Sequence, residues 1–156
     1  MTMAQDSEAE ATESRRGWMG LLARAAPEAL AARVEALDPP LPEAEWLRVP
    51  QTGGVMVRGQ MGGTGAPFNL GEMTVTRCAL RLTDGTVGHA YVQGRDRAHA
   101  RTAALVDALM QGERAAELRS AVLDPLDAAE TAAHRDRAAK AAATRVDFFT
   151  MARGED

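Results

Sequence analysis

The chain has 156 residues, enough for one domain with a real core and short for two independent ones. Its formal net charge of -4 gives no overall basic field to draw a polyanion, which argues against nucleic acid as a partner. The single cysteine, Cys78, excludes an internal disulfide and a cysteine-built metal cluster, and no window reaches the ~18 consecutive apolar residues of a membrane span. With no apolar signal-peptide core at its start either, the expected location is the cytoplasm.

Residues 1–13 carry Asp6, Glu8, Glu10 and Glu13 with little apolar content to offset the entropy of ordering, which predicts a disordered acidic leader. From Ser14, Trp18, Leu21, Leu22 and Ala25 recur at helical spacing until Pro27 interrupts. Pro27 suits the first turn of a second helix, in which Leu30, Val34 and Leu37 share a face before Asp38-Pro39-Pro40 ends it. Strand composition follows, with one strand expected at Trp46-Leu47-Val49 and another at Val55–Gln60 across a turn at Gly53-Gly54.

After the glycine stretch from Met61 to Pro67, the segment from Thr74 to Gln93 reads as a hairpin about Asp84-Gly85. A two-residue turn there pairs Leu82 with Val87, Leu80 with His89 and Cys78 with Tyr91 on a core face. Asp96 caps the next helix, in which Ala98, Thr102, Leu105, Val106, Leu109 and Met110 form a stripe running to Gln111. Asp124-Pro125 predicts the start of an alanine-rich helix to about Ala143. These elements predict an α+β domain over residues 14–154, an antiparallel β-sheet with a central Asp-Gly hairpin, flanked by N-terminal and C-terminal α-helices. Aromatics are only 4% of the chain while alanine abounds, so the helices are expected to pack closely through small side chains.

Chemistry is sparse. Gly62, Gly63, Thr64 and Gly65 offer a candidate anion loop of successive backbone N–H groups, but read more readily as a flexible turn between strands, since the Lys-Ser/Thr ending of a P-loop is missing. Arg77 and Arg81 share a strand face, but four residues at ~3.3 Å rise hold their Cα atoms about 13 Å apart, too far to grip one phosphate together. They fit an extended polyphosphate, an acidic protein surface, or plain rim charges. His99, near Arg95 and Arg97, is a candidate proton donor or phosphate contact, and the three histidines lack the spacing of a helical zinc site, so no metal is expected. Cys78 reads as a buried apolar residue more readily than as a reactive thiol. Phe148, Phe149 and Met151 concentrate apolar surface in a tail that needs a core or a partner to cover it.

Taken in order, Arg58-Gly59-Gln60-Met61-Gly62-Gly63-Thr64-Gly65-Ala66-Pro67-Phe68, Gly71-Glu72-Met73-Thr74-Val75-Thr76-Arg77, Arg81-Leu82-Thr83-Asp84-Gly85 and Tyr91-Val92-Gln93-Gly94-Arg95-Asp96 resemble the PhnG family. The terminal run Thr144-Arg145-Val146-Asp147-Phe148-Phe149-Thr150-Met151 extends the resemblance, which covers about Trp18 to Gly154. It implies an accessory subunit of the bacterial carbon–phosphorus lyase core complex, with PhnI, PhnH and PhnJ as partners, two copies per complex, and PhnL needed functionally. In the implied first step a phosphonate displaces adenine from ATP, giving a ribose 1-phosphonate 5-triphosphate, and PhnI acts at the glycosidic bond.

The resemblance further implies that ATP is the complex's substrate, that the iron–sulfur cluster and S-adenosylmethionine belong to PhnJ, and that this chain binds no cofactor and is not catalytic alone. It carries over no catalytic residue. The residues chosen as phosphate, phosphonate or partner contacts are Arg58, Arg77, Arg81, Arg95 and His99, with Phe148, Phe149 and Met151 for partner docking. The alternatives are a free-standing nucleotide- or phosphonate-binding enzyme and a pure scaffold that stabilises its partners.

Overall fold

The structure, a computed structural model, describes residues 2–144, and the expected docking tail at Phe148, Phe149 and Met151 lies outside them. Helix α1 (Thr2–Arg24) is followed by α2 (Pro27–Glu35), with Pro27 in its first turn as expected. The leader thus has helical backbone where composition predicts disorder, yet residues 7–14 are wholly exposed and bury no apolar surface. Burial in α1 begins with Leu21 and Leu22, which enter the core with Leu30 of α2.

Strand β1 (Glu45–Gln60) is continuous, and this corrects the expectation of two strands separated by a turn. Gly53 and Gly54 stay in the ladder, opposite Val75 and Thr74 of β2 (Pro67–Arg81). The reversal comes instead at Met61–Gly63, where Gly62 and Gly63 take positive φ and Thr64 and Gly65 donate their N–H groups to the Met61 carbonyl. Strand β3 (Val87–Gln93) completes an antiparallel sheet of order β1-β2-β3. The glycine stretch after Gln60 is thus the turn between strands that its composition allows, while Gly53-Gly54, which two glycines in a row would mark as a turn, stay extended, with the Glu72 side chain lying over Gly54.

The β2–β3 connection is longer than a two-residue turn. Gly85 N–H donates to the Leu82 carbonyl and Leu82 N–H to the Thr86 carbonyl, with Gly85 at φ 91. This is a three-residue loop closed by a left-handed glycine bulge, and Asp84 Oδ1 accepts the Thr86 N–H at 2.8 Å. The register therefore slips by one from the expected pairing, to Arg81↔Val87, Leu80↔Gly88, Ala79↔His89, Cys78↔Ala90 and Arg77↔Tyr91. A one-residue slip turns β3 over. Gly88, Ala90 and Val92 join Cys78, Leu80 and Leu82 in facing the core, while His89 and Tyr91 face outward.

Helix α3 (Arg97–Leu109) starts at the Asp96 cap, whose Oδ1 accepts the His99 N–H at 2.9 Å. It lies on the core face of the sheet through Ala100, Ala103, Ala104 and Ala108. The approach is so close that a Cβ built at Gly88 would run into the Ala104 carbonyl and lie 2.9 Å from Ala108 Cβ. Small side chains on both surfaces are thus what lets helix and sheet meet.

The alanine-rich C-terminal helix has the expected bounds, Asp124–Ala143, but a different start. Asp124 is not a cap; it lies at φ -60, ψ -43 within continuous helix, and α5 (Asp124–Ala143) follows α4 (Ala115–Leu118) through a π-helical turn over Arg119–Leu123. In that turn Asp124 N–H bonds the Arg119 carbonyl, five residues back. Pro125 has no N–H, and its ring needs relief from the carbonyl four residues earlier; the wider turn supplies it without ending the helix. Leu118, Val122, Leu123 and Leu126 anchor this helix, and beyond Glu130, which pairs with Arg24 at 2.7 Å, residues 131–144 are all exposed.

At the free edge of β3 sits Asp107 of α3, with no exposure. Its carboxylate accepts from Arg15 Nε at 3.1 Å, Arg15 Nη2 at 2.7 Å, Trp18 Nε1 at 2.9 Å and the His89 backbone N–H at 2.9 Å. The Val87 carbonyl on the same edge accepts from Arg15 and Gln111. Asp107→Ala strips the carboxylate from buried donors, and its expected cost is about 3–5 kcal/mol of unfolding free energy, read by urea denaturation. A loss below about 1 kcal/mol would mean that water replaces the carboxylate.

Candidate functional site

The structure disperses the five residues chosen from sequence. Arg58 lies on the part of β1 paired to β2 beyond the end of β3, opposite Asn69. Arg81 is held by Glu45 at 2.8 Å, and Arg95 stands exposed in the loop between β3 and α3. His99 is buried, its Nε2 donating to the Leu22 carbonyl at 2.8 Å, and its Nδ1 has no partner among the described residues. It ties α3 to α1 and does not reach solvent. The Gly62–Gly65 loop is exposed at the turn between β1 and β2, with two of its four amide groups committed to Met61.

Arg77 is placed differently. It projects from β2 on the sheet face opposite α3, which no helix crosses among the described residues, into a shallow depression of about 470 Å³ lined also by Arg48, His89, Tyr91, Leu47 and, at the border, Met19 of α1. Ala79 forms the floor, too small to fill the space between its neighbours. Arg48 lies directly opposite Ala79 on β1 and His89 directly opposite it on β3, while Tyr91 is opposite Arg77. Because Leu82 and Thr86 form a hydrogen-bonded pair, alternation makes Ala79/His89 and Arg77/Tyr91 the closer, non-hydrogen-bonded kind. Arg48 is not apparent from sequence because its face is set by the register shifts of β1, and His89 and Tyr91 are not because a two-residue turn would send both into the core. The signal that finds the two β3 residues is the Leu82-to-Thr86 loop, since an Asp-Gly pair also fits a three-residue turn with glycine at the left-handed position.

A larger depression, about 590 Å³, lies beside Glu43, Glu45, Arg81 and the β2–β3 loop, but its one arginine is already paired. Among the described residues no group of three histidine, cysteine or acidic side chains is placed to hold a metal ion. No helix among them is long and apolar enough to cross a membrane.

Cys78 lies on the opposite, core face of β2, its thiol donating to the Ala100 carbonyl at 3.2 Å. Burial pushes the thiol up to about 11, because the thiolate would be poorly solvated there. The native chain is therefore expected to resist Ellman's reagent at pH 8 and to release one equivalent of thiol in denaturant; rapid native labelling would show that this core opens.

The distal half of the β1–β2 pair has a distinct surface. From Gly54↔Thr74 to Gln60↔Pro67 the two strands continue past the end of β3, which pairs only as far as Gln93↔Val75. At ~3.4 Å per residue the extension runs about 24 Å. It exposes Met61 (78%), Leu70 (66%), Met56 (56%) and Phe68 (42%). A two-stranded ribbon is marginal in water by itself, and apolar side chains of this size gathered on one mark a surface that another chain covers.

Comparison with known proteins agrees with the ordered motifs. The profile of the family described as phosphonate metabolism protein PhnG matches residues 13–154. A curated relative, alpha-D-ribose 1-methylphosphonate 5-triphosphate synthase subunit PhnG of Rhizobium meliloti (strain 1021), is 47% identical over 156 residues, all of this chain and 99% of the relative. Both matches span the sheet, the arm and the helices, so the chain belongs to the PhnG family of phosphonate metabolism proteins.

Proposed function

We propose that this chain is an accessory subunit of a ribose 1-phosphonate 5-triphosphate synthase, docking through its β1–β2 arm and helping a nucleosidase-type partner transfer a phosphonate onto the ribose of ATP as adenine leaves. The relative's name supports the subunit reading, and the observation that carries the docking is the arm, with Met56, Met61, Phe68 and Leu70 exposed on strands that β3 does not support. PhnI, PhnH and PhnJ are the proposed partners, with PhnL required functionally and the iron–sulfur cluster and S-adenosylmethionine held in PhnJ. The chain itself is not expected to turn over substrate.

The outer edge of β1 is open for strand addition, a second way for a partner to hold the arm. Pro50 and the register shifts between Trp46 and Gln51 spoil that edge near the body, leaving the straighter stretch from Gly53 to Val57 as the pairing segment. A scaffold role without contact to substrate is the second reading, favoured by the exposed outer half of α5, whose alanine face has nothing packed on it among the described residues.

Co-expression separates these ideas. Phe68→Glu with Leu70→Glu is expected to leave the isolated chain's circular dichroism unchanged, because both residues are exposed, and to abolish its co-purification with the other subunits. Cells carrying that variant, or lacking the chain, should fail to grow on methylphosphonate as sole phosphorus source. A stoichiometric complex with the double variant would remove the arm from the interface, and growth without the chain would overturn the subunit role itself.

A further inference from the structure

The outer sheet face around Ala79 concentrates positive charge on a chain whose formal net charge is -4. Arg48 and Arg77 stand on adjacent strands as diagonal neighbours, a spacing of about 7–8 Å between Cα atoms, so two long side chains can converge on one anion. Neither forms an ion pair among the described residues, and no carboxylate lines the depression. Farther along the face Glu45 is engaged by Arg81, and Asp107 behind the β3 edge is saturated by its own donors. Arg48 makes one long contact, Nη1 to Gln51 Oε1 at 3.4 Å, which a stronger acceptor would displace.

Across the alanine floor, β3 supplies an imidazole and a phenol. The exposed Tyr91 ring and the His89 side chain close the side away from β1, and Met19 of α1 and Leu47 of β1 give the rim an apolar border. Two guanidinium groups with a phenol hydroxyl and an imidazole around a floor that carries only the Ala79 methyl match a chain of phosphates, whose oxygens accept from several donors at once. A single carboxylate would leave half of these donors facing water.

We infer that Arg48, Arg77, His89 and Tyr91 form a binding site for a phosphate chain, of the di- or triphosphate class, on the sheet face opposite α3. Arg48 and Arg77 hold the phosphate oxygens, and Tyr91 and His89 position the chain from the opposite strand. Within the reading proposed above, this is a surface that presents the triphosphate end of a substrate or product to a neighbouring subunit. Its test does not depend on assembly, because binding is measured on the full chain alone.

The experiment is a titration of the isotopically labelled full chain with tripolyphosphate and, separately, with ATP, followed by amide shifts in NMR. Saturable shifts are expected at Ala79, His89 and Tyr91, weakening as sodium chloride rises. Arg48→Gln and Arg77→Gln should each raise the dissociation constant by about tenfold or more, as loss of a charge-assisted contact implies. Arg58→Gln and Arg95→Gln, exposed elsewhere, should leave it within about twofold, as does any surface change outside the site. Tighter binding of ATP than of tripolyphosphate would identify a nucleotide ligand, and equal binding a free phosphate chain; both support the site. Absence of saturable shifts with both probes up to ~10 mM, where affinity would be too weak to matter, overturns it. Equal weakening by Arg95→Gln would also overturn it, since that marks diffuse charge attraction. Failure of the Phe68→Glu/Leu70→Glu complex to assemble bears on the docking reading and leaves this result untouched.

Discussion

A buried carboxylate with four donors holds three elements together at one edge of the sheet. Asp107 belongs to α3, Arg15 and Trp18 to α1, and the His89 N–H to β3, so removing water from this point is tolerable only when all three are in place. The same contacts solve the problem of an exposed strand edge. The outward N–H of His89 and the outward carbonyl of Val87 are taken by side chains, which blocks the start of β3 against pairing with a foreign strand. The opposite edge, β1, has no such cover among the described residues, and the two edges accordingly differ: one partly blocked by the chain's own side chains, the other open.

That closure also fixes which way the β3 side chains point. With the His89 N–H directed at Asp107, its side chain faces away from α3, while Gly88 and Ala90 face the helix. The helix can settle there because the two surfaces in contact are glycine and alanine, which matches a composition rich in alanine and poor in aromatics. Close packing of small residues gains dispersion contacts over a wide area rather than depending on a few large side chains. All of this uses one face of the sheet, so the second face retains Arg48, Arg77, His89 and Tyr91 for other work.

Local signals were legible where local physics decides the structure. Pro27 and Asp96 start helices where their chemistry says they should, and the ordered motifs between Arg58 and Asp96 carried the family. Elements decided by distant contacts were not legible. Asp107 stands inside an apolar stripe, and its side-chain partners Arg15 and Trp18 are 92 and 89 residues away, so nothing near it in sequence announces a buried ion pair. Pro125 reads as a helix start on propensity alone; tertiary anchoring through Leu118, Val122 and Leu123 continues the helix through it at the cost of one π turn. The candidate contacts fared likewise, since only the register of β3 and the path of β1 decide what stands beside Arg77.

The path of β1 shows how much such a site owes to irregular backbone. Between Arg48↔Ala79 and Gln51↔Arg77, β1 spends three residues where β2 spends two, and between Trp46↔Leu80 and Arg48↔Ala79 it spends two where β2 spends one. Strict alternation would put Trp46 and Arg48 on one face. The extra residue moves Trp46 opposite a core leucine and Arg48 opposite an outward alanine, so the two bulges together aim Arg48 at the face that Arg77 already occupies. Pro50, which lacks a backbone donor, falls within the second irregularity, where a ladder bond is already interrupted. A regular strand of the same composition would put Arg48 on the face that α3 covers and leave Arg77 without a second guanidinium beside Ala79. The bulges are therefore as much a part of the cationic site as its arginines, and straightening β1 would dismantle the site without changing one of its residues.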